Sequence, residues 1–187
     1  MIPDILEDEV IGFMDQSSPQ TTANTVRMWS FSKPTIFKDT KKYKSNTFGF
    51  YTVRGNAVID FPEHSRKEDV VAFLEKIRSY NPVGRIMIVL DNFKSHHALK
   101  VAEKALELRI DLIFLPPYSP DLNPIEYLWK AIKRVVSKMF INSRESMCSA
   151  IESAFSTLSK SMGYAKSWVL KFLPAETQKE ILKLLNG

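Results

Sequence analysis

The chain has 187 residues, room for one domain with its own hydrophobic core and too few for two of ordinary size. Hydrophobic residues make up 44% and charged residues 25%, proportions that exclude intrinsic disorder and fibrous classes. Cys148 is the sole cysteine beside three histidines, which excludes an intrachain disulfide and a Cys/His zinc cluster. Any metal site must therefore use oxygen ligands. Charge is uneven: Asp4, Glu7, Asp8, Glu9 and Asp15 meet only Arg27 within residues 1–32, which leaves +9 on the remainder against +5 for the whole chain. The basic body, with clusters at Lys33, Lys38, Lys41, Lys42 and Lys44 and at Lys130, Lys133, Arg134, Lys138 and Arg144, fits a polyanionic partner. A solvated lysine-rich surface fits the same counts. No apolar run reaches the roughly 18 residues of a membrane helix, and the start of the chain is acidic where a secretory signal is basic, so no membrane association and a cytoplasmic location are expected.

Taken in chain order, Val10-Ile11-Gly12-Phe13-Met14 predicts a buried strand ending at Asp15. A polar turn over residues 16–24 follows, and residues 25–31 form a segment able to pair with that strand. Residues 46–53 and 57–61 flank Arg54-Gly55-Asn56, whose Gly-Asn pair supplies the positive-φ positions of a tight hairpin, so three antiparallel strands are expected at the front. At Ser65 the period changes. Val70, Val71, Phe73, Leu74 and Ile77 recur at helical spacing, Ser65 and Glu68 have capping-box spacing, and Asn81-Pro82 ends the helix.

Ile86-Met87-Ile88-Val89-Leu90 is a continuous apolar strand ending at Asp91. Leu99, Ala102 and Leu106 make a helical stripe, and Leu112-Ile113-Phe114-Leu115 reads as a second buried strand closed by Pro116-Pro117. This strand–helix–strand unit is long enough for a right-handed crossover, so its two strands should be parallel neighbours. Asn123-Pro124-Ile125-Glu126 opens another helix, with Asn123 as cap and Glu126 in the capping-box position, and its apolar stripe is Ile125, Leu128, Trp129, Ile132, Val135, Val136 and Met139. Further helices are expected at about residues 143–159 and 175–185. The fold class is α/β: one domain over residues 1–187, three antiparallel strands and then two parallel ones, flanked by helices.

Three acids hold special places in this plan: Asp15 and Asp91 at strand ends, and Glu126 in the first turn of a helix. Functional sites form beyond the carboxyl ends of parallel strands, and a carboxylate cluster there suits Mg²⁺ or Mn²⁺, which leave coordination positions for substrate phosphate. Singly, Asp15 also reads as a turn former, Asp91 as a polar strand-to-helix turn and Glu126 as half of a capping box. Lys130, Lys133 and Arg134 share the face of Glu126, as a DNA-facing helix or a solvated one would have them. Leu128, Trp129 and Cys148 read as core residues.

Two longer stretches carry a resemblance: Leu90-Asp91-Asn92-Phe93-Lys94-Ser95-His96-His97 and Leu115-Pro116-Pro117-Tyr118-Ser119-Pro120-Asp121-Leu122-Asn123-Pro124-Ile125-Glu126-Tyr127-Leu128-Trp129. They resemble the second and third catalytic blocks of DDE transposases of the mariner-like and related bacterial and archaeal insertion-sequence families. The 34 residues between Asp91 and Glu126 match the spacing of that superfamily, and Gly12-Phe13-Met14-Asp15 occupies the place of its first aspartate, with Gln16 where many relatives have Glu. The resemblance covers roughly residues 9–140 and implies a ribonuclease H-like core. It also implies that Asp15, Asp91 and Glu126 ligate two Mg²⁺ or Mn²⁺ ions for DNA strand cleavage and strand transfer, with Asn92 and His96 as supporting or DNA-positioning groups and no small-molecule cofactor. The implied partners are transposon ends and target DNA, in a prokaryotic, nucleoid-associated setting, and a homodimer is compatible with them. Relatives place a DNA-recognition module before the core, and none is expected in this chain. A nuclease that only hydrolyses, and a domesticated DNA-binding module without catalysis, are the competing readings.

Overall fold

The computed structural model describes residues 9–21, 31, 35, 37–91, 99–117, 119–173, 175 and 178–179. Its centre is β1 (Val10–Ser17), which pairs antiparallel with β2 (Thr47–Arg54) on one side and parallel with β4 (Ile86–Leu90) on the other. Outside these, β3 (Val58–Asp60) pairs antiparallel with β2, and β5 (Ile110–Phe114) pairs parallel with β4, giving the order β3-β2-β1-β4-β5. This is the expected mixture of three antiparallel and two parallel strands. The hairpin between β2 and β3 turns at Gly55, whose φ of +109° is open to glycine and strained for other residues.

Because side chains alternate along a strand, the sheet has two distinct interiors. Val10, Met14, Phe48, Phe50, Ile86, Ile88 and Leu90 point to one face, covered by α1 (Lys67–Tyr80) and α2 (Leu99–Glu107). Ile11, Phe13, Tyr51, Val53, Met87 and Val89 point to the other, covered by α3 (Ile125–Val136), α4 (Arg144–Leu158) and α5 (Lys166–Phe172). At the amino ends of β4 and β5, the Arg78 guanidinium donates to four carbonyls, those of Leu108, Asn81, Gly84 and Arg109, at 2.8–3.0 Å. No helix among the described residues is long and apolar enough to cross a membrane.

Several local expectations are corrected. β1 does not end at Asp15 but runs on to Ser17, since its antiparallel pairing with β2 continues to Ser17 opposite Thr47 after the parallel pairing with β4 stops at Met14. α1 begins two residues later than predicted, and Asp69, not Glu68, accepts the backbone N–H at its start, that of Arg66 at 2.8 Å. α2 buries Val101 and Ala105 and exposes Leu99 and Leu106, because the chain leaves through Leu108, packed on the same side, before turning into β5 at Arg109.

β5 is one of the two sheet edges and only half-buried, where a buried strand was expected. In α3, Val135 is exposed, and Met139 lies exposed beyond the helix end. Cys148 is half-buried with its Sγ 3.3 Å from Ser45 Oγ. The expected segment at residues 25–30 and most of the helix at 175–185 lie outside the described residues. α5 has no counterpart among the expected elements, because seven residues make two turns, too few for a period to stand out.

Candidate active site

The alternation that builds the second interior also places the acids. Ile11 and Phe13 point toward α3, so Asp15, two residues on, points the same way; Met87 and Val89 do the same for Asp91. The parallel register pairs Met14 with Leu90, so Asp15 and Asp91 each follow one member of that pair at the carboxyl ends of neighbouring strands. Glu126 enters from above, in the first turn of α3, which packs on β1 and β2. Asp15 is buried, at 7% exposure, while Asp91 and Glu126 are half-buried.

Electrostatics ties the three together. The Asp15 carboxyl is pushed up to about 8 from 3.8, first by loss of hydration, next by the charge of Glu126, and further by that of Asp91. The Gln16 backbone N–H and the Trp129 indole oppose the rise. Among the described residues no three His, Cys, Asp or Glu side chains are close enough to hold a metal ion, so the three carboxylates share a field without being drawn to ligand distance. Their chemistry nonetheless fits a hard divalent cation, since the donors are all oxygen. The loop before α3 adds an amide: Asn123, 2% exposed, donates from Nδ2 to the Met14 carbonyl at 3.3 Å, and its buried Oδ1 has no hydrogen-bond partner.

That bond corrects the capping reading. No side chain caps α3; Pro124 holds the N-cap position and Asn123 straps the loop to the end of β1. The capping role that competed for Glu126 is therefore gone, and its carboxylate stands at the border between the buried stripe and the exposed side of α3. On that exposed side lie Lys130, Lys133 and Arg134, with Lys130 Nζ 5.1 Å from the centroid of the Tyr127 ring. Asn92 and His96 lie outside the described residues. Sequence reasoning assigned Trp129 to the core alone and gave Gly49 no part. A glycine inside an otherwise bulky strand, Thr47-Phe48-Gly49-Phe50-Tyr51, is the signal that could have marked it.

The five-stranded mixed sheet flanked by helices is of the ribonuclease H-like α/β class, and its candidate site has an aspartate on β1, a second just past the end of β4 and a glutamate on α3, all oxygen donors. The chain belongs to the DDE superfamily endonucleases, a family matched over residues 10–148. The Tcb2 transposase of the transposable element in Caenorhabditis briggsae is 34% identical over 70 residues, which are 37% of this chain and 26% of that protein. The fold is shared with the Mos1 transposase catalytic domain solved with raltegravir and Mn, at a TM-score of 0.59 and 17% identity, over 97% of this chain and 80% of that one. The Mos1 strand transfer complex has a TM-score of 0.58 at 19% identity, over 81% of this chain and 48% of that one. The chain thus spans about a quarter of the Tcb2 transposase and about half of the protein chain in that complex.

Proposed function

We propose that this chain carries the catalytic centre of a DNA transposase, which cleaves DNA strands and joins them by in-line attack on phosphodiesters in the presence of two Mg²⁺ or Mn²⁺ ions. The observation that supports it most is the convergence on Asp15 of the charges of Glu126 and Asp91, from three separate elements, at one end of the sheet. Asp15, Asp91 and Glu126 would hold the ions. Divalent ions bound there supply charge that stabilises both the entering and the leaving oxygen of a phosphodiester exchange.

The protein's own contribution is to fix and desolvate. Asp15 is held rigidly within β1, Asp91 sits at the end of a strand paired on both sides, and Glu126 rides on a helix anchored by five buried side chains. A buried carboxylate raised this far is under-compensated, and a neighbouring cation is the most direct compensation. Lys130, Lys133 and Arg134 would contact the DNA backbone beside the acids, and Asn92 and His96 would position the strand. The partners proposed are transposon ends and target DNA, with two copies acting together.

The test offers the whole chain two substrates with Mg²⁺ or Mn²⁺: a supercoiled plasmid for nicking, and a precleaved 3′-hydroxyl end with target DNA for joining. Both reactions are expected in the wild type. Asp91→Ala should abolish both while circular dichroism stays unchanged. Nicking without joining would leave a hydrolytic nuclease, and full activity in Asp91→Ala would overturn the assignment.

A further inference from the structure

Beside Asp15 stands a buried donor that the carboxylate scheme does not use. Trp129 is 1% exposed, and its Nε1 is buried without a hydrogen-bond partner. A buried indole N–H is normally satisfied, because an unpaired donor loses its water and gains nothing in exchange. The orphaned group is therefore informative about what its surroundings are built to meet.

Its position follows from Gly49. In the β1–β2 register Gly49 is the residue directly opposite Asp15, and residues directly opposite in an antiparallel pair project to the same face. A Cβ at Gly49 would lie 2.6 Å from Trp129 Cζ2 and 2.8 Å from Cη2, closer than such atoms approach in folded proteins. The six-membered edge of the indole thus lies against the bare backbone of Asp15's partner, and Cζ2 is two bonds from Nε1. The ring is further held by Phe155, with centroids 6.1 Å apart. The indole also favours the charged form of the Asp15 carboxyl, though it stands outside hydrogen-bond geometry. Trp129 follows Glu126 by three residues on α3, so one helix presents a carboxylate and a donor to the same strand residue.

We propose that Trp129 is a positioning residue for Asp15: seated in the slot that Gly49 leaves, its indole N–H takes one carboxyl oxygen and turns the other toward the cation. This deepens the transposase reading and rests on it. Partners of metal-ligating groups commonly act in this way, fixing orientation, and their removal costs roughly 10–100-fold in metal affinity or activity.

The experiment replaces Trp129 in the full chain by β-(3-benzothienyl)alanine, which keeps the ring's shape and puts sulfur where the N–H was. Mn²⁺ affinity is read from the electron paramagnetic resonance of the free ion, beside the unfolding midpoint and the single-turnover nicking rate. The expected result is Mn²⁺ binding weakened about 10-fold or more and slower nicking at an unfolding midpoint close to that of the wild type. Trp129→Phe, which lacks the N–H and packs less well, should show the same loss of affinity with lower stability. Mn²⁺ affinity within twofold of wild type in both variants would overturn the proposal and leave Trp129 a packing residue. Asp15→Asn, measured in parallel, separates the two levels. If it too binds Mn²⁺ normally, the metal-site reading fails and the positioning role falls with it; if it alone loses binding, only the positioning role falls.

Discussion

The two faces of the sheet are built from the same five strands and end differently. Toward α1 and α2 the alternating side chains stay apolar through Met14 and Leu90, the last residues that β1 and β4 pair with each other, both fully buried. Toward α3 the alternation runs Ile11, Phe13 and then Asp15, and Met87, Val89 and then Asp91. On that face apolar packing stops at Phe13 and Val89, and a carboxylate takes the next place on each chain segment. A single strand can thus serve as pure core on one side and as an acid site on the other, with the period of two deciding which residue does which.

Breaking the apolar face should affect stability and spare the site. Phe73, fully buried on α1 with its ring edge against Phe48 at 5.5 Å, is the natural target. Phe73→Ala is expected to cost about 3–5 kcal/mol in chemical denaturation while Mn²⁺ affinity stays within about twofold of wild type. A proportional loss of affinity would show that the two faces are not separable.

The acid face should respond to pH. Below about pH 4 Asp15 is protonated in folded and unfolded chains alike. Between there and about 8 the folded chain keeps a proton that the unfolded chain has released, because burial first and Glu126 second hold the native carboxyl up. The metal-free protein therefore loses stability as pH rises through that window, and Asp15→Asn should remove this part of the slope. The variant is expected to gain on wild type as pH rises from about 4 to about 8.5 in EDTA, by up to about 1.4 kcal/mol per pH unit, read from urea midpoints. A difference independent of pH would mean that Asp15 does not carry the strain.

The smallest effect belongs to the outer side of α3. Lys130→Ala with Arg134→Ala should leave stability and Mn²⁺ affinity nearly unchanged, because both side chains lie off the buried stripe. DNA affinity should fall, and its logarithmic salt dependence should become shallower by about 0.9 for each phosphate that is no longer neutralised. An unchanged slope would move the DNA path away from α3, toward the lysines between β1 and β2.

Much of this was legible in the chain itself. The parity of Ile11, Phe13 and Asp15, and of Met87, Val89 and Asp91, is visible without coordinates, and so are the Gly55 hairpin and the parallel crossover. What escaped depends on partners distant in sequence. Asn123 fits a cap by every local rule and instead reaches the Met14 carbonyl, 109 residues away. Leu99 and Leu106 look like the seat of α2, yet Val101 and Ala105 have that place, because the path into β5 chooses between two apolar stripes. Trp129 satisfies the α3 stripe completely, and hydropathy carries no information about where an indole N–H points.

The Arg78 guanidinium has a bearing on how the molecule opens. One side chain satisfies the carbonyls of Asn81 and Gly84, before β4, and of Leu108 and Arg109, before β5. A lysine ammonium, compact and limited to three donors, has no planar fork to span them. Separating α1 from β4 gives up the Gly84 bond, and separating it from β5 gives up those to Leu108 and Arg109, so α1, β4 and β5 are expected to exchange their amides as one cooperative unit. The amino ends of the parallel strands are thereby fastened to α1, at the end of the sheet opposite the acids.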